Sequence, residues 1–453
     1  MRFVKIRWLV VAIGCIQVLT LHELFAGDKE EADIHSAQAI FGKSLLVDDV
    51  HAGPVDIHGY ASQGFLYTGS GHNFPTNQAG SGDARMTDVA INGNYNVLPD
   101  LRLGMQVYAG QLGNRGEMVP EIDWAVIDYQ PSSYFGIKAG RVKEPLGFYN
   151  EALDIDAART FVFLPMGFYD PRFRTLLNSF DGGMLYGNIP VGKGGGWGNV
   201  DYGFWMGQKD LPTRSYAADR LNSGTAFTAQ SIQENEQAGF SLVYNTPLKG
   251  LRMGSSYLYL DRFTDTGISK NTAQILQSGT PSTINSGIGA LGGTPFSIEY
   301  DSLNFFTFST EYTTGKWDFN GELMRFEGVA RPTFRGASSE SPLNQQSWYL
   351  SADYHVNRWL SLGTYFNQTV YDYHDQDGTK HAAASGLPKS AYFQNDLALA
   401  SRFDISRNWI FKLEGHLMNG TSLEYNANGE NPNHSSARDA DWYLLAAKTT
   451  WSF

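Results

Sequence analysis

Apolar and polar residues alternate with a period of two, in segment after segment, from residue 55 to residue 453. Over 101–111, Leu101, Leu103, Met105 and Val107 interleave with Arg102, Gly104, Gln106 and Tyr108. Over 346–356, Trp348, Leu350, Ala352 and Tyr354 oppose Ser347, Tyr349, Ser351, Asp353 and His355. Successive side chains of a β-strand point to opposite faces, so each segment reads as a strand with one oily and one wet face. Sixteen segments qualify: 55–68, 84–97, 101–111, 122–130, 135–142, 181–189, 198–208, 237–246, 251–260, 302–314, 317–327, 346–356, 359–370, 392–403, 409–418 and 441–453.

The links between them alternate in length. Even-to-odd links are short, as at 98–100, 131–134, 247–250, 315–316, 357–358 and 405–408, with the Gly-rich 190–197 intermediate. Odd-to-even links are longer, at 69–83, 112–121, 143–180, 209–236, 261–301, 328–345, 371–391 and 419–440. Turns on one side, loops on the other and both chain ends on the turn side predict an all-β fold: a 16-stranded antiparallel transmembrane β-barrel with short periplasmic turns and long extracellular loops. Closure has a physical reason. In hydrocarbon an open sheet edge leaves N–H and C=O groups unpaired, which only a closed sheet avoids. Sixteen strands leave an aqueous lumen, whereas about eight are filled by side chains.

Composition agrees with an oily face averaged with a wet one. The chain is 42% hydrophobic and 14% aromatic but only 18% charged, with 49 glycines. A single cysteine, Cys15, excludes a disulfide framework and a thiolate metal site. The charge of −12 argues against a nucleic-acid partner. Trp317, Trp359 and Trp409 each follow a short turn, and Trp451 and Phe453 close the chain, where rings suit a membrane interface.

Residues 1–26 read as an export signal, with Arg2, Lys5 and Arg7 before an apolar run too short to span a bilayer. Cys15 lies inside that run. Residues 27–54 read as a short periplasmic N-terminal segment, helical over 37–46, and 55–453 as the barrel.

The final strand, ending Trp451-Ser452-Phe453, resembles the C-terminal signature of Gram-negative outer-membrane proteins that the barrel-assembly machinery reads. Gly59-Tyr60-Ala61-Ser62-Gln63-Gly64-Phe65 resembles a first strand of general porins. The stretch from Gly140 and Arg141 through Pro145 and Gly147 to Asn150 resembles a strand-to-loop junction of the phosphate-selective porin O and P group, and Asp181-Gly182-Gly183 the strand after it. The resemblance implies a homotrimer in outer-membrane lipid that passes small hydrophilic solutes or ions through a constriction made by its third long loop. That loop is 143–180 here, and its middle, 154–163, reads as a helical turn capped by Asp154 or Asp156.

Charged side chains at a constriction set ion selectivity. The constriction candidates are Lys138, Lys143, Asp154, Asp156, Arg159, Arg172 and Arg174, the last two expected to project from one side of an extended segment. Alternation puts Arg102, Arg252, Asp318, Glu322, Asp353, Arg402, Lys412, Glu414 and Lys448 on the lumen wall. The two signs nearly balance, and the arginine ladder of the phosphate porins is not traceable. The expected function is therefore a weakly selective porin with at most an anion preference.

The alternatives are an adhesin or receptor barrel without an open pore and, further off, a membrane-embedded hydrolase. No cofactor or metal is expected, and the chain is expected not to be an enzyme. A GxGxxG at 287–292 lacks the flanking strand and helix of a dinucleotide site, and 192–196 lacks Walker spacing.

Overall fold

The computed structural model describes residues 50–52, 55–69, 72, 74–76, 82–113, 116–208, 210–211, 227–234, 236–269, 292–424 and 439–453. The expected export signal with Cys15, the expected 37–46 helix and all but the last residue of the 287–292 glycine run lie outside the described residues.

Sixteen strands form the barrel wall: β1 Val55–Thr68, β2 Asp83–Leu98, β3 Leu101–Leu112, β4 Glu121–Ser132, β5 Phe135–Lys143, β6 Ser179–Pro190, β7 Asn199–Gln208, β8 Gln237–Asn245, β9 Leu251–Ser269, β10 Pro295–Thr314, β11 Trp317–Phe334, β12 Ser341–His355, β13 Leu360–Val370, β14 Phe393–Ser406, β15 Trp409–Gly420 and β16 Asp441–Ser452. Each pairs antiparallel with the next. β1 pairs antiparallel with β16, from Tyr60↔Ser452 to Thr68↔Leu444, which closes the sheet. Shorter pieces ride on this wall. Val50–Ala52 folds back on the start of β1, and Phe227–Glu234 pairs with the far end of β9.

The period-two pattern becomes radial. Ile91, Phe204 and Leu350 are 51%, 51% and 61% exposed on the outside. Their chain neighbours Ala90, Trp205 and Tyr349 are buried within. Near the short turns, Trp317 stacks on Phe319 and packs tilted against Tyr354, Trp359 stacks on Phe403, and Trp451 packs tilted against Phe453, an aromatic band suited to a membrane interface.

The structure corrects the sequence reading on β9–β12. These strands extend to 19, 20, 18 and 15 residues, so 261–269, 295–301 and much of 328–345 are ladder rather than loop. Twenty residues rise about 66 Å at ~3.3 Å each, well beyond an apolar band of about 25 Å. Above that band no face meets lipid, so a strand no longer needs the oily alternation by which it was recognised.

The third long loop, 144–178, packs against the wall from within. Leu146, Phe168 and Leu176 join Leu258 and Leu260 of β9, Phe305 of β10 and Tyr349 of β12 in one buried cluster. Val162, Phe163 and Met166 join Leu66, Met86, Trp442 and Leu444 of β1, β2 and β16 in another.

Candidate functional site

Loop 144–178 contains only brief turns: 3-10 turns at Asn150–Ala152, Asp156–Ala158 and Pro171–Phe173, then one α-turn at Arg174–Leu177. The expected helical turn over 154–163 is thus reduced to three residues. Neither aspartate caps it; the residues in cap position are Tyr149 and Ile155, with no side-chain bond. Both carboxylates are taken by cations instead. The expected extended segment at Arg172 and Arg174 is likewise helical, so a spacing of two does not put both on one side. The Arg172 side chain lies outside the described set.

The loop is tied to the wall around its circumference. Toward β4 and β5, Lys143 Nζ lies 2.8 Å from Asp123 and 2.7 Å from Asp154. Arg174 Nη2 lies 2.6 Å from Asp123 and 3.0 Å from Asp154. Gln106 Nε2 donates to both acids. Burial would raise the Asp154 carboxyl, but Arg174 and then Lys143 outweigh it and hold it below the usual carboxylate range.

Toward β14–β16, Asp156 meets Lys448 at 2.8 Å, Arg159 at 2.9 Å and Lys412 at 3.7 Å, and accepts from Thr450 Oγ1 at 2.7 Å. Against the opposing effect of burial, Lys448, Lys412 and Arg159 hold the Asp156 carboxyl far below its ordinary value. Lys412, 1% exposed, donates to the backbone carbonyls of Asp156 and Phe161 at 2.8 and 2.9 Å. Arg402 Nη1 donates to Ala157 O at 2.5 Å, while its Nη2 pairs with Asp404 at 2.6 Å. Glu414 accepts from the N–H groups of Val162 at 2.7 Å and Phe163 at 3.1 Å. His416 bridges Glu414 and Asp396 at 2.8 and 2.9 Å.

Toward β10–β12, Glu322 accepts from Phe148 N–H at 2.8 Å, Tyr169 Oη at 2.5 Å and Tyr349 Oη at 2.6 Å. Burial, then the Glu322 charge, pushes the Tyr169 phenol up. Arg252 binds Glu311 through two 2.9 Å bonds and lies over the Phe148 ring.

Many wall charges expected from alternation therefore hold the loop. Asp353 is buried facing inward. Others lie clear of the loop, near the short-turn end: Arg102 pairs with Asp128 at 2.9 Å, Asp318 with His355 at 2.7 Å, and Lys138 lies over the Tyr186 ring.

Alternation missed Asp123. A register shift between Gln106 and Val107 opposite it turns it inward, and its only sequence signal is an acid inside the apolar run 122–127. It also missed Asn178, which donates to Asp123, and Asn367, which accepts from Gly167 N–H at 3.1 Å. Among the described residues no group of three or more His, Cys, Asp or Glu is arranged to hold a metal ion.

No protein-family model matches the sequence, and no curated protein matches it significantly. Solved structures do match in fold. OmpT of Vibrio cholerae, described as outer-membrane expressed, is 9% identical, with 90% of this chain and 100% of that one covered at a TM-score of 0.50. Salmonella typhi OmpF, in complex with daunomycin, is 13% identical, with 88% of this chain and 97% of that one covered at a TM-score of 0.52. At these identities the likeness is one of fold.

Proposed function

We propose that the chain is an outer-membrane porin of a Gram-negative bacterium, passing small hydrophilic solutes or ions passively, with loop 144–178 as its constriction. The observation that carries this reading is the loop itself. A closed barrel of this strand number has a lumen, and the loop is bonded to its inner wall from β4 round to β16. The reading includes export by residues 1–26, insertion signalled by Phe453 and assembly as a homotrimer. It assigns no catalytic role.

Phosphate specificity is not part of it. Arg102, Arg252 and Arg402 each face a carboxylate, in Asp128, Glu311 and Asp404, so the wall offers no uncompensated arginine row among these residues. Weak selectivity follows from this balance.

One observation favours a second reading, a receptor or adhesin barrel without an open pore: wall residues such as Leu258 and Leu260 are wholly covered. Planar-bilayer recording separates the two. The porin reading expects discrete conductance steps with low ion selectivity; a purified, folded protein that gives no steps selects the closed barrel.

A further inference from the structure

Between the loop and the wall formed by β1–β3 and β16 lies a cavity of about 130 Å³. Most of its surface is apolar, supplied by residues such as Leu153, Val162, Phe163 and Phe168, with a polar arc that includes Tyr60, three carboxylates in Asp88, Asp154 and Asp170, and three cations in Arg159, Arg174 and Lys448. The arc is not symmetric in what it has left to offer.

Asp88 and Asp154 are well supplied. Asp88 accepts from Tyr108 Oη at 2.7 Å, Lys448 Nζ at 2.9 Å and Ser62 Oγ at 3.2 Å. Asp154 accepts from Lys143 and Gln106 and pairs with Arg174. The unsatisfied atoms are donors: Arg174 Nε and Nη1, Arg159 Nε and the Tyr60 hydroxyl are buried without a hydrogen-bond partner. The Arg174 side chain is only 10% exposed, with its guanidinium carbon 3.8 Å from the Tyr108 ring centre.

Buried donors left unpaired are costly, so a ligand acceptor that reaches them removes a penalty the free protein already carries. Two cationic donors call for an anionic acceptor, and Arg favours a carboxylate. The apolar remainder calls for a hydrocarbon body, and the volume limits it: an apolar cavity of about 150 Å³ takes a benzene ring. We propose that this cavity is a binding site for a small carboxylate with an apolar body, a single aromatic ring or a short alkyl chain. The site rests on the channel reading in that the solute meets it on its way through the barrel.

The test uses the full mature protein in detergent and in bilayers, with benzoate as probe and benzamide as its uncharged match. Calorimetry is expected to show saturable benzoate binding, one per chain, with benzamide at least tenfold weaker. Arg174→Gln weakens benzoate by tenfold or more, and Tyr60→Phe by about threefold to tenfold. Tyr60→Phe also separates ligand binding from structure. Its hydroxyl has no partner to lose, so the variant retains the wild-type unfolding temperature in the absence of benzoate.

Non-saturable benzoate uptake, equal binding of benzamide, or affinity unmoved by both substitutions overturns the site. Conductance steps without benzoate binding overturn the site and leave the channel. Benzoate binding without conductance overturns the channel and leaves a ligand-binding barrel.

Discussion

Asp154 and Asp156 lie two residues apart in the loop, yet they serve different walls, one meeting Lys143 and Arg174, the other Lys448, Lys412 and Arg159. Each carboxyl is held below its ordinary value, so the sign of the pH dependence is fixed. A depressed folded-state value contributes stability above the unfolded Asp value of about 3.9 and loses it only as pH falls through the lower, folded value. The loop contacts should therefore survive mild acid. Arg174→Gln removes the largest charge favouring ionised Asp154, leaving burial less opposed. That variant should lose about 3 kcal/mol at neutral pH, as when one partner of a buried pair is removed. Its acid transition, followed by the shift from compact to unfolded gel mobility, should also begin at higher pH than in wild type. An unchanged acid transition would show that Arg174 does not hold Asp154 ionised. At this scale the sequence showed charges of both signs in 143–180 but not their partners, because Asp123 and Lys412 come from strands distant along the chain.

At the scale of elements, loop 144–178 stood out in the sequence by its length, since long connections without secondary structure are uncommon in compact folds. Its internal shape did not. Arg172 and Arg174 read as extended and are helical, because wall partners across the lumen select the backbone path over local preference. Gly167 shows how close that path runs. A β-carbon there would stand 1.9 Å from Thr369 Oγ1, 2.4 Å from Asn367 Oδ1 and 2.6 Å from Ser347 Oγ, all on β12 and β13. Gly167→Ala should push this part of the loop off the wall and cost about 1–3 kcal/mol, as overpacking does. In bilayer recordings the displaced loop should change the unit conductance from the wild-type value. A variant identical in both stability and conductance would mean that the loop tolerates a looser fit than its contacts imply.

For the whole molecule, closure and height are separate matters. The β1–β16 seam closes the barrel, and Phe453 and Gly59 exchange two 3.0 Å backbone bonds at the end of that seam. The upper parts of β9 and β10 take no part in that seam, and the far end of β9 carries the Phe227–Glu234 segment instead. Asp265 and Ile298 face each other across their ladder. Deleting 266–297 and joining them through Asn-Gly, a pair suited to a two-residue hairpin, leaves each strand longer than the ~9–11 residues that span a bilayer. The shortened chain should fold to a barrel with unchanged heat-resistant mobility. Failure to form a heat-resistant species would show that these extensions support the wall.

The barrel was legible along the chain because lipid outside and water inside impose a period-two code on every spanning strand, and closed antiparallel hairpins impose alternating link lengths. Both are local in sequence, and they yielded all sixteen strands. Where neither solvent acts, as in the upper ladders of β9–β12, the code lapses and the strands went unread. Alternation also indicated that Glu322, Lys412 and Glu414 face inward. It held no information on what they meet there, because each has partners among the backbone groups of a loop that is distant along the chain. Only closure of the barrel around that loop brings these groups within hydrogen-bonding distance and turns lumen charges into anchors.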